Sequence, residues 1–548
     1  MRSHNKPIAL AVLVGALLTV DLANAASKPP RNPYLASSLY AITHFDSSQS
    51  DSTPYGPPRK AYYVDASMAP IAYGGPINIL TLASTNPNFM WQVGTDRVSY
   101  VKKYGLQWKT LSVFQALADA DKDLPAITDG NFRSFGESSA VGMTTTTMDS
   151  YLKSLFGNQY PKRFGSGTYV LVDRDNVLYA AYGETLYGLA LINPKRPDHG
   201  IAPRYRLDDV INKIQGKPAP EGTKLSGLSM TYDGHLVLTF TNGVGVIDRN
   251  LDLDSAQFYA LGQGEQITNS MAIDDKGGIY VASNLLMHKL VWTGSTLSDK
   301  ASDGAWTSPY LNSGQELPPI IKVNNGTGST PTLMGFGKKD DKLVVITDGA
   351  KQMNLVAFWR DAIPDGFVQK PNTLSNRIAD QIPVTCGFDP IPEWIQSEQS
   401  VVVSGTGAFV VNNIPQTVAP ELAAVNNNKI LQVSLMGPAY ETSYGAQRFE
   451  WDPSQDAWHS VWARPDVSST SMVPIHSQSG NMALINGYRP AYGWEVVGLD
   501  WNTGKTAHHT IFGDANFGNG AYAILEYLKN GDLIFNSFSG PYRVHYGK

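Results

Sequence analysis

One grammar recurs along this 548-residue chain: a small or polar residue or two, an apolar strand, a tight turn of Asp, Asn, Gly or Lys, a second alternating strand, then a third. It is clearest in "LSMTYDGHLVLTFTNGVGVID" from Leu228, "SMAIDDKGGIYVASNLLMHKLVW" from Ser270 and "TLMGFGKKDDKLVVITDGAKQMNLVAFW" from Thr332. Further copies start at Tyr169, Met472 and Ala523, a divergent one at Ser400 and one near the front at Ile77. Polar turns joining alternating runs build antiparallel hairpins. A single four-stranded meander cannot bury both of its faces, whereas radial repetition can, so the expected fold is all-β, a β-propeller of four-stranded antiparallel blades. Two packed β-domains would also give regularly spaced strands, but the same hairpins run without a break from residue 168 to the end.

Eight units can be counted, with seven blades as the alternative. The last unit has room for about three strands before Lys548, and an N-terminal strand, "LYAITHF" or "AYYVD", is expected to complete it. From Asn176 to Gly531, six intervals span 355 residues, about 59 per repeat. Compact propeller repeats take roughly 40 to 50, so the surplus belongs to loops on one face. Residues 110–156 break the pattern: "LSVFQALADADKDL" and "TTMDSYLKSLF" have helical spacing and read as an insertion between the first two blades.

Arg2 and Lys6, the apolar run 8–20 and the small-x-small Ala23-Asn24-Ala25 read as a secretory signal peptide over residues 1–25. The mature protein is then periplasmic or secreted, with residues 26–75 as a segment before the propeller of 76–548. No later stretch has the length of a transmembrane span. Cys386 stands alone, so no internal disulfide forms and stability must come from the core. With 48 acidic against 43 basic residues, nothing argues for a nucleic-acid partner.

Propellers bind ligands where the starts of the innermost strands converge, and a site there needs a few convergent polar groups. The residues just before those strands include Asn269, Thr330, Ser400 and Ser471, the expected substrate-orienting groups, and Glu398, a carboxylate ahead of the apolar "VVV". Such a carboxylate is partly desolvated, which suits a general base or a metal ligand. The stretch "THFDSSQSDSTPYG", residues 43–56, adds His44, Asp46 and Asp51. If it crosses the channel mouth, His44 and Asp46 join Glu398 as catalytic candidates, because histidine beside carboxylates is the commonest acid/base arrangement. The competing reading is a solvated leader rich in Ser, Asp and Pro. Other motifs are thin: there is no G-x-S-x-G elbow and no zinc-type His/Cys spacing.

"GLDWNTGKTAHH", residues 498–509, resembles the tryptophan-docking repeat of the quinoprotein alcohol dehydrogenase-like propellers, roughly A-x-D-x-x-T-G-K-x-x-W. Asp500, Thr503, Gly504 and Lys505 match, Gly498 replaces the alanine, and His508 stands where the tryptophan falls. That resemblance covers one repeat of eight. A wider one is to a group of secreted bacterial and fungal propeller proteins, carried by "NPYLASSLYAITHFDSSQSDS", "GSTPTLMGFGKKDDKLVVITDG", "SEQSVVVSGTGAFVVNN" and "RFEWDPSQDAWHSVWARPDVSSTSMVP". Both imply a fold and not a reaction. The quinoprotein family typically holds pyrroloquinoline quinone under a vicinal disulfide beside a calcium or lanthanide; one cysteine cannot supply that disulfide, so the quinone is not expected, while a divalent metal stays open.

Three functions are thus in view. The first is an exported enzyme acting on a small organic molecule at the channel mouth by acid/base or metal-assisted chemistry, as hydrolase, lyase or isomerase. The second is a non-catalytic envelope scaffold docking through the aromatics of "YRPAYGWEVVGLDW". The third is a metal-dependent oxidoreductase without quinone.

Overall fold

The computed structural model describes residues 28–322, 324–470 and 472–547. The signal-peptide reading lies outside them. Eight antiparallel sheets follow one another along the chain, each a meander in sequence order. Their first strands are Leu80–Ala83, Leu171–Val172, Leu225–Met230, Ala272–Ile273, Thr332–Met334, Val402–Ser404, Ile475–Ser477 and Leu525–Tyr527. This is an eight-bladed β-propeller. Seven blades carry the four-strand meander, and the eighth has three strands.

The hairpin turns are built as the sequence suggests. Asp173 accepts the amides of Asp175 and Val177 at 2.9 Å each, and Asp274 those of Lys276 and Gly278 at 2.9 and 2.8 Å, so a carboxylate replaces the missing backbone acceptor at the bend. These turns also join blades. The Trp292 indole donates to Asp233 of the preceding blade at 2.9 Å, and Trp451 to Asp341 of the preceding blade at 2.8 Å. In the resembling repeat, Trp462 of the sixth blade packs on Gly504, where a Cβ would come within 2.7 Å of its ring.

Neither expected segment completes the eighth blade. "AYYVD" contributes Ala61–Tyr63 in parallel to the outer strand Thr506–Gly513 of the seventh sheet. "LYAITHF" lies inside the channel, bridging the second sheet through Ile42 and Leu171. Residues 72–74 run beside the last strand instead: Ala72 N–H donates to Pro541 O at 3.1 Å and Gly74 N–H to Ser539 O at 3.0 Å. Two bonds at alternate residues are a partial fourth strand, and they tie the chain's two ends together.

Between the first and second blades lie α1 (Ala116–Ala120), α2 (Asp129–Glu137) and α3 (Thr145–Phe156). The helical reading of residues 111–124 holds only from Ala116, because "TLSVF" forms the first sheet's outer strand Lys109–Phe114. In α3 the side chains of Thr144 and Thr147 cap the first turn reciprocally, and Met148, Leu152 and Phe156 bury one face. A short α4 (Val210–Gln215) lies between the second and third sheets, and the sixth blade inserts α5 (Pro420–Ala423) and α6 (Lys429–Leu435). Phe132, Phe135, Leu152 and Phe156 share one apolar cluster with Ile430, Val433, Ile320, Ile321 and Ala521. The helices therefore form a cap over the face where the innermost strands begin.

The channel is occupied by the protein itself. The Tyr40 carbonyl accepts from Ala83 N–H at 2.7 Å, Ala41 from Val172 at 2.8 Å, Ser47 from Ile273 at 2.8 Å, Ser48 from Leu333 at 2.9 Å and Ser50 from Val403 at 3.1 Å. Asp51 O accepts from His476 N–H at 2.9 Å and Thr53 O from Gln478 N–H at 2.8 Å. Asn32 Nδ2 donates to Met230 O at 3.0 Å, and the Tyr40 hydroxyl accepts from Tyr527 N–H at 3.2 Å. Residues 32–53 thus bond to the inner edge of all eight blades, satisfying backbone groups that face the axis. The winding requires left-handed backbone at Tyr40, His44, Phe45, Gln49 and Asp51, a conformation costing about 1–2 kcal/mol at each non-glycine residue and tolerated where surrounding bonds over-determine it.

Candidate functional site

The plug divides the channel. Its bend at His44 lies beside Tyr169, with the two ring centroids 6.3 Å apart. Asp46 belongs to the other side, lining an open basin at the hairpin face. His44, Asp46 and Glu398 therefore do not form one site. The physical reason is local: Asp46 turns inward to accept from the hydroxyls of Ser48 and Ser50 at 2.5 Å each and from Ser48 N–H at 2.9 Å. Asp46 fastens the plug. Burial raises its carboxyl, and the serines oppose that rise. His44 Nδ1 meets Asp51 Oδ2 at 2.8 Å, with both side chains buried. The seven-residue spacing places the pair side by side because the chain doubles back between them.

On the cap side, Tyr169, Asn269, Glu398 and Tyr522 are half-buried, so each keeps some accessible surface, and the place they border is termed the chamber. All four come from loops leading into innermost strands. Tyr169 donates to Asn269 Oδ1 at 3.3 Å, and Asn269 Nδ2 donates to Gly328 O at 2.9 Å. Burial lifts the Tyr169 phenol to about 12, which keeps it a donor. Gly328 carries no side chain because none fits: a Cβ would lie 2.2 Å from Ser397 O and 2.8 Å from Glu398 Oε1. "NNGTG" thus brings the fifth-blade loop against the Glu398 carboxylate. Glu398 N–H donates to Asn413 Oδ1 at 3.0 Å.

Two lysines absent from the sequence-level candidates face this carboxylate electrostatically. Lys322, 1% exposed, donates to Gly326 O at 2.6 Å and Gln396 Oε1 at 2.5 Å. Lys429, the first residue of α6, donates to Asn426 Oδ1 at 3.0 Å. Desolvation raises Glu398 to about 7 against the pull of both lysines. The same burial lowers Lys322 and Lys429 to about 8, opposed by Glu398. All three groups are displaced toward neutrality, because burial penalises each charge and mutual attraction only partly restores it. The sequence signals were present: Lys322 interrupts the apolar "PPIIKV", and Lys429 opens a helix whose every residue is buried.

The expected orienting residues divide. Asn269 borders the chamber. Thr330 belongs to its wall and influences the Tyr169 phenol. Ser400, buried, spends its hydroxyl on Thr330 N–H at 3.1 Å and so holds the loop. Ser471 lies outside the described residues. Of the other polar residues before inner strands, Ser226 donates to Ile267 O and Asn519 to Val433 O, which is loop satisfaction. The Ser229 and Thr470 hydroxyls and Asp51 Oδ1 are buried without a protein partner. Among the described residues, no group of three or more His, Cys, Asp or Glu is arranged to hold a metal ion. No described helix is long and apolar enough to cross a membrane.

Of the aromatics offered for docking in "YRPAYGWEVVGLDW", Trp494, Trp501 and Tyr488 are buried in the core and Tyr492 alone is exposed. His508 and His509 have separate partners, Pro58 O with Thr510 and Glu495 respectively.

No family model matches the chain. It is similar to an uncharacterized protein of Archaeoglobus fulgidus, 29% identical over 538 residues that take in 95% of this chain and 89% of that protein. Among solved structures, a europium-containing methanol dehydrogenase aligns at 8% identity and TM-score 0.43 over 92% of this chain and 89% of its own. BamB from Moraxella catarrhalis aligns at 11% identity and TM-score 0.35 over 69% of this chain and 93% of its own. Likenesses this distant carry no chemistry; the propeller assignment rests on the eight sheets.

Proposed function

We propose that the protein is an exported enzyme that performs proton-transfer chemistry on a small anionic organic molecule in the chamber between cap and plug. The observation that carries this reading is the Glu398 carboxyl, set against the Gly328 loop beside half-buried Tyr169 and Asn269, with Lys322 and Lys429 acting on it electrostatically and not as ion pairs. A carboxylate near 7 is suited to act as general base at neutral pH, and a lysine near 8 is a matched acid. Two buried ammonium groups attract an anionic substrate and stabilise negative charge that develops on it. Tyr169 and Asn269 offer the orienting donor and acceptor. His44 and Asp51, at the floor, would hold a second proton site. Hydrolase, lyase and isomerase chemistry all use these parts.

The scaffold is of the quinoprotein-like kind in this reading, on the strength of the turn from Asp500 to Lys505 with Trp462 on Gly504. The chamber does not fit the quinone of that family: Cys386 is single and sits against Gly445 in the blade core, where no vicinal disulfide can form. No step is assigned to a metal or quinone.

The test is turnover of lactones, carboxylate esters and 2-hydroxy and 2-keto acids, read by pH-stat and by proton exchange in D2O. Glu398→Gln is expected to lower kcat by about 10²–10⁴ while leaving Tm unchanged. Activity that survives Glu398→Gln overturns the assignment.

A further inference from the structure

On the hairpin face, the plug floors a basin of about 1180 Å³ that the proposed chemistry does not use. Sites for single small molecules span roughly 300–1,000 Å³, so this one has room for several linked rings. Its lining is cationic in a chain whose net charge is −5. Lys28, Arg31, Lys338, Lys339 and Lys529 line it and have no ion-pair partner among the described residues. The basin's four carboxylates already have protein donors. Asp46 holds Ser48 and Ser50, Asp341 holds Trp451, Asp340 accepts from Gly337 N–H at 2.7 Å, and Glu526 Oε1 pairs with Lys103 Nζ at 3.2 Å.

The aromatic part of the lining narrows the ligand. Tyr55, Phe89 and Phe336 are half-buried around the basin, so parts of their rings are open to it. Flat apolar faces among unpaired lysines together suit a chain of rings bearing carboxylate groups.

We propose that the basin is a binding site for a short anionic oligosaccharide, with uronic-acid-type units whose carboxylates meet the rim lysines and whose rings lie on Phe89 and Phe336. The site is separate from the chamber because the plug lies between them.

Calorimetry of the full mature protein with tri-galacturonic acid, its methyl ester and tripolyphosphate tests this. The acid is expected to bind with an affinity that falls as salt rises. Its methyl ester should bind at least tenfold more weakly. Lys338→Glu combined with Lys339→Glu, both on an exposed turn, should weaken the acid at least tenfold, Phe336→Ala severalfold, and Glu398→Gln not at all. Equal binding of acid and ester, a Kd unchanged by charge reversal, or no binding at 10 mM overturns the proposal. Tripolyphosphate that binds as tightly as the acid, with no effect of Phe336→Ala, overturns the sugar assignment in favour of a generic polyanion.

Discussion

Phe45→Ala tests whether the plug holds the ring as one unit. Phe45 is 1% exposed, packs edge-on against Tyr40 with centroids 4.7 Å apart, and accepts Tyr40 N–H through its carbonyl at 2.9 Å. Truncating a buried phenylalanine costs about 3–5 kcal/mol. Phe45 also sits at φ +78°, so its left-handed turn depends on that packing. If the plug then opens locally, the amides it satisfies become exchangeable, and 3–5 kcal/mol corresponds to roughly two to four decades in opening equilibrium. The assay is native-state hydrogen exchange followed at Ala83, Val172, Ile273, Leu333, Val403, His476 and Gln478. These amides should accelerate together, including those of the fifth, sixth and seventh blades, which bond to plug residues further along the chain. Acceleration confined to Ala83 and Val172, whose acceptors precede Phe45, would refute the single-unit reasoning, since the plug would then open piecemeal.

Two other outcomes follow from named groups. His476, 4% exposed with its ring 4.1 Å from Trp501, is held down to about 3 by burial and by Arg448. Its folded value lies below the unfolded one near 6.5, so the neutral form is native. Stability is then retained above about pH 6.5 and lost as pH falls toward 3. Urea titrations of His476→Asn, which keeps a group for Ser52 where Nδ1 stood, should show a shallower acid slope over pH 6.5–4, whatever the offset at pH 7; an unchanged slope assigns the acid sensitivity elsewhere. Gly328→Ala places a methyl 2.2 Å from Ser397 O, a backbone clash that displaces Glu398. It should abolish turnover and lower Tm by several degrees, and a variant with wild-type activity would detach Glu398 from the chemistry.

The repeat was legible because hairpin turns are local: Asp173, Asp274 and Gly277 announce their bends within a few residues. The cap was half legible. Met148, Leu152 and Phe156 show helical spacing, whereas "TLSVF" was claimed by a sheet edge that local spacing does not reveal. In the proposed site, Glu398 stands out in the sequence because a carboxylate before "VVV" is conspicuous. Lys322 and Lys429 were missed because their convergence depends on one loop of the fifth blade and one helix of the sixth. His44 and Asp46, two positions apart in the sequence, were parted by two left-handed residues, His44 and Phe45, whose φ values no propensity announces. The closing strand was expected from the right region, but residues 72–74 were not singled out, since "AYGG" has little strand character.

The plug also fixes an order of assembly. Tyr40 reaches Tyr527 across 487 positions, so the first part of the described chain to emerge in synthesis waits for the last to give it a complete seat. Until then every finished blade keeps a raw inner edge, and contacts this distant are slow to form. The chain thereby carries its own delay: the ring stays open while the blades accumulate, and locks once the final one seats the segment that was made first.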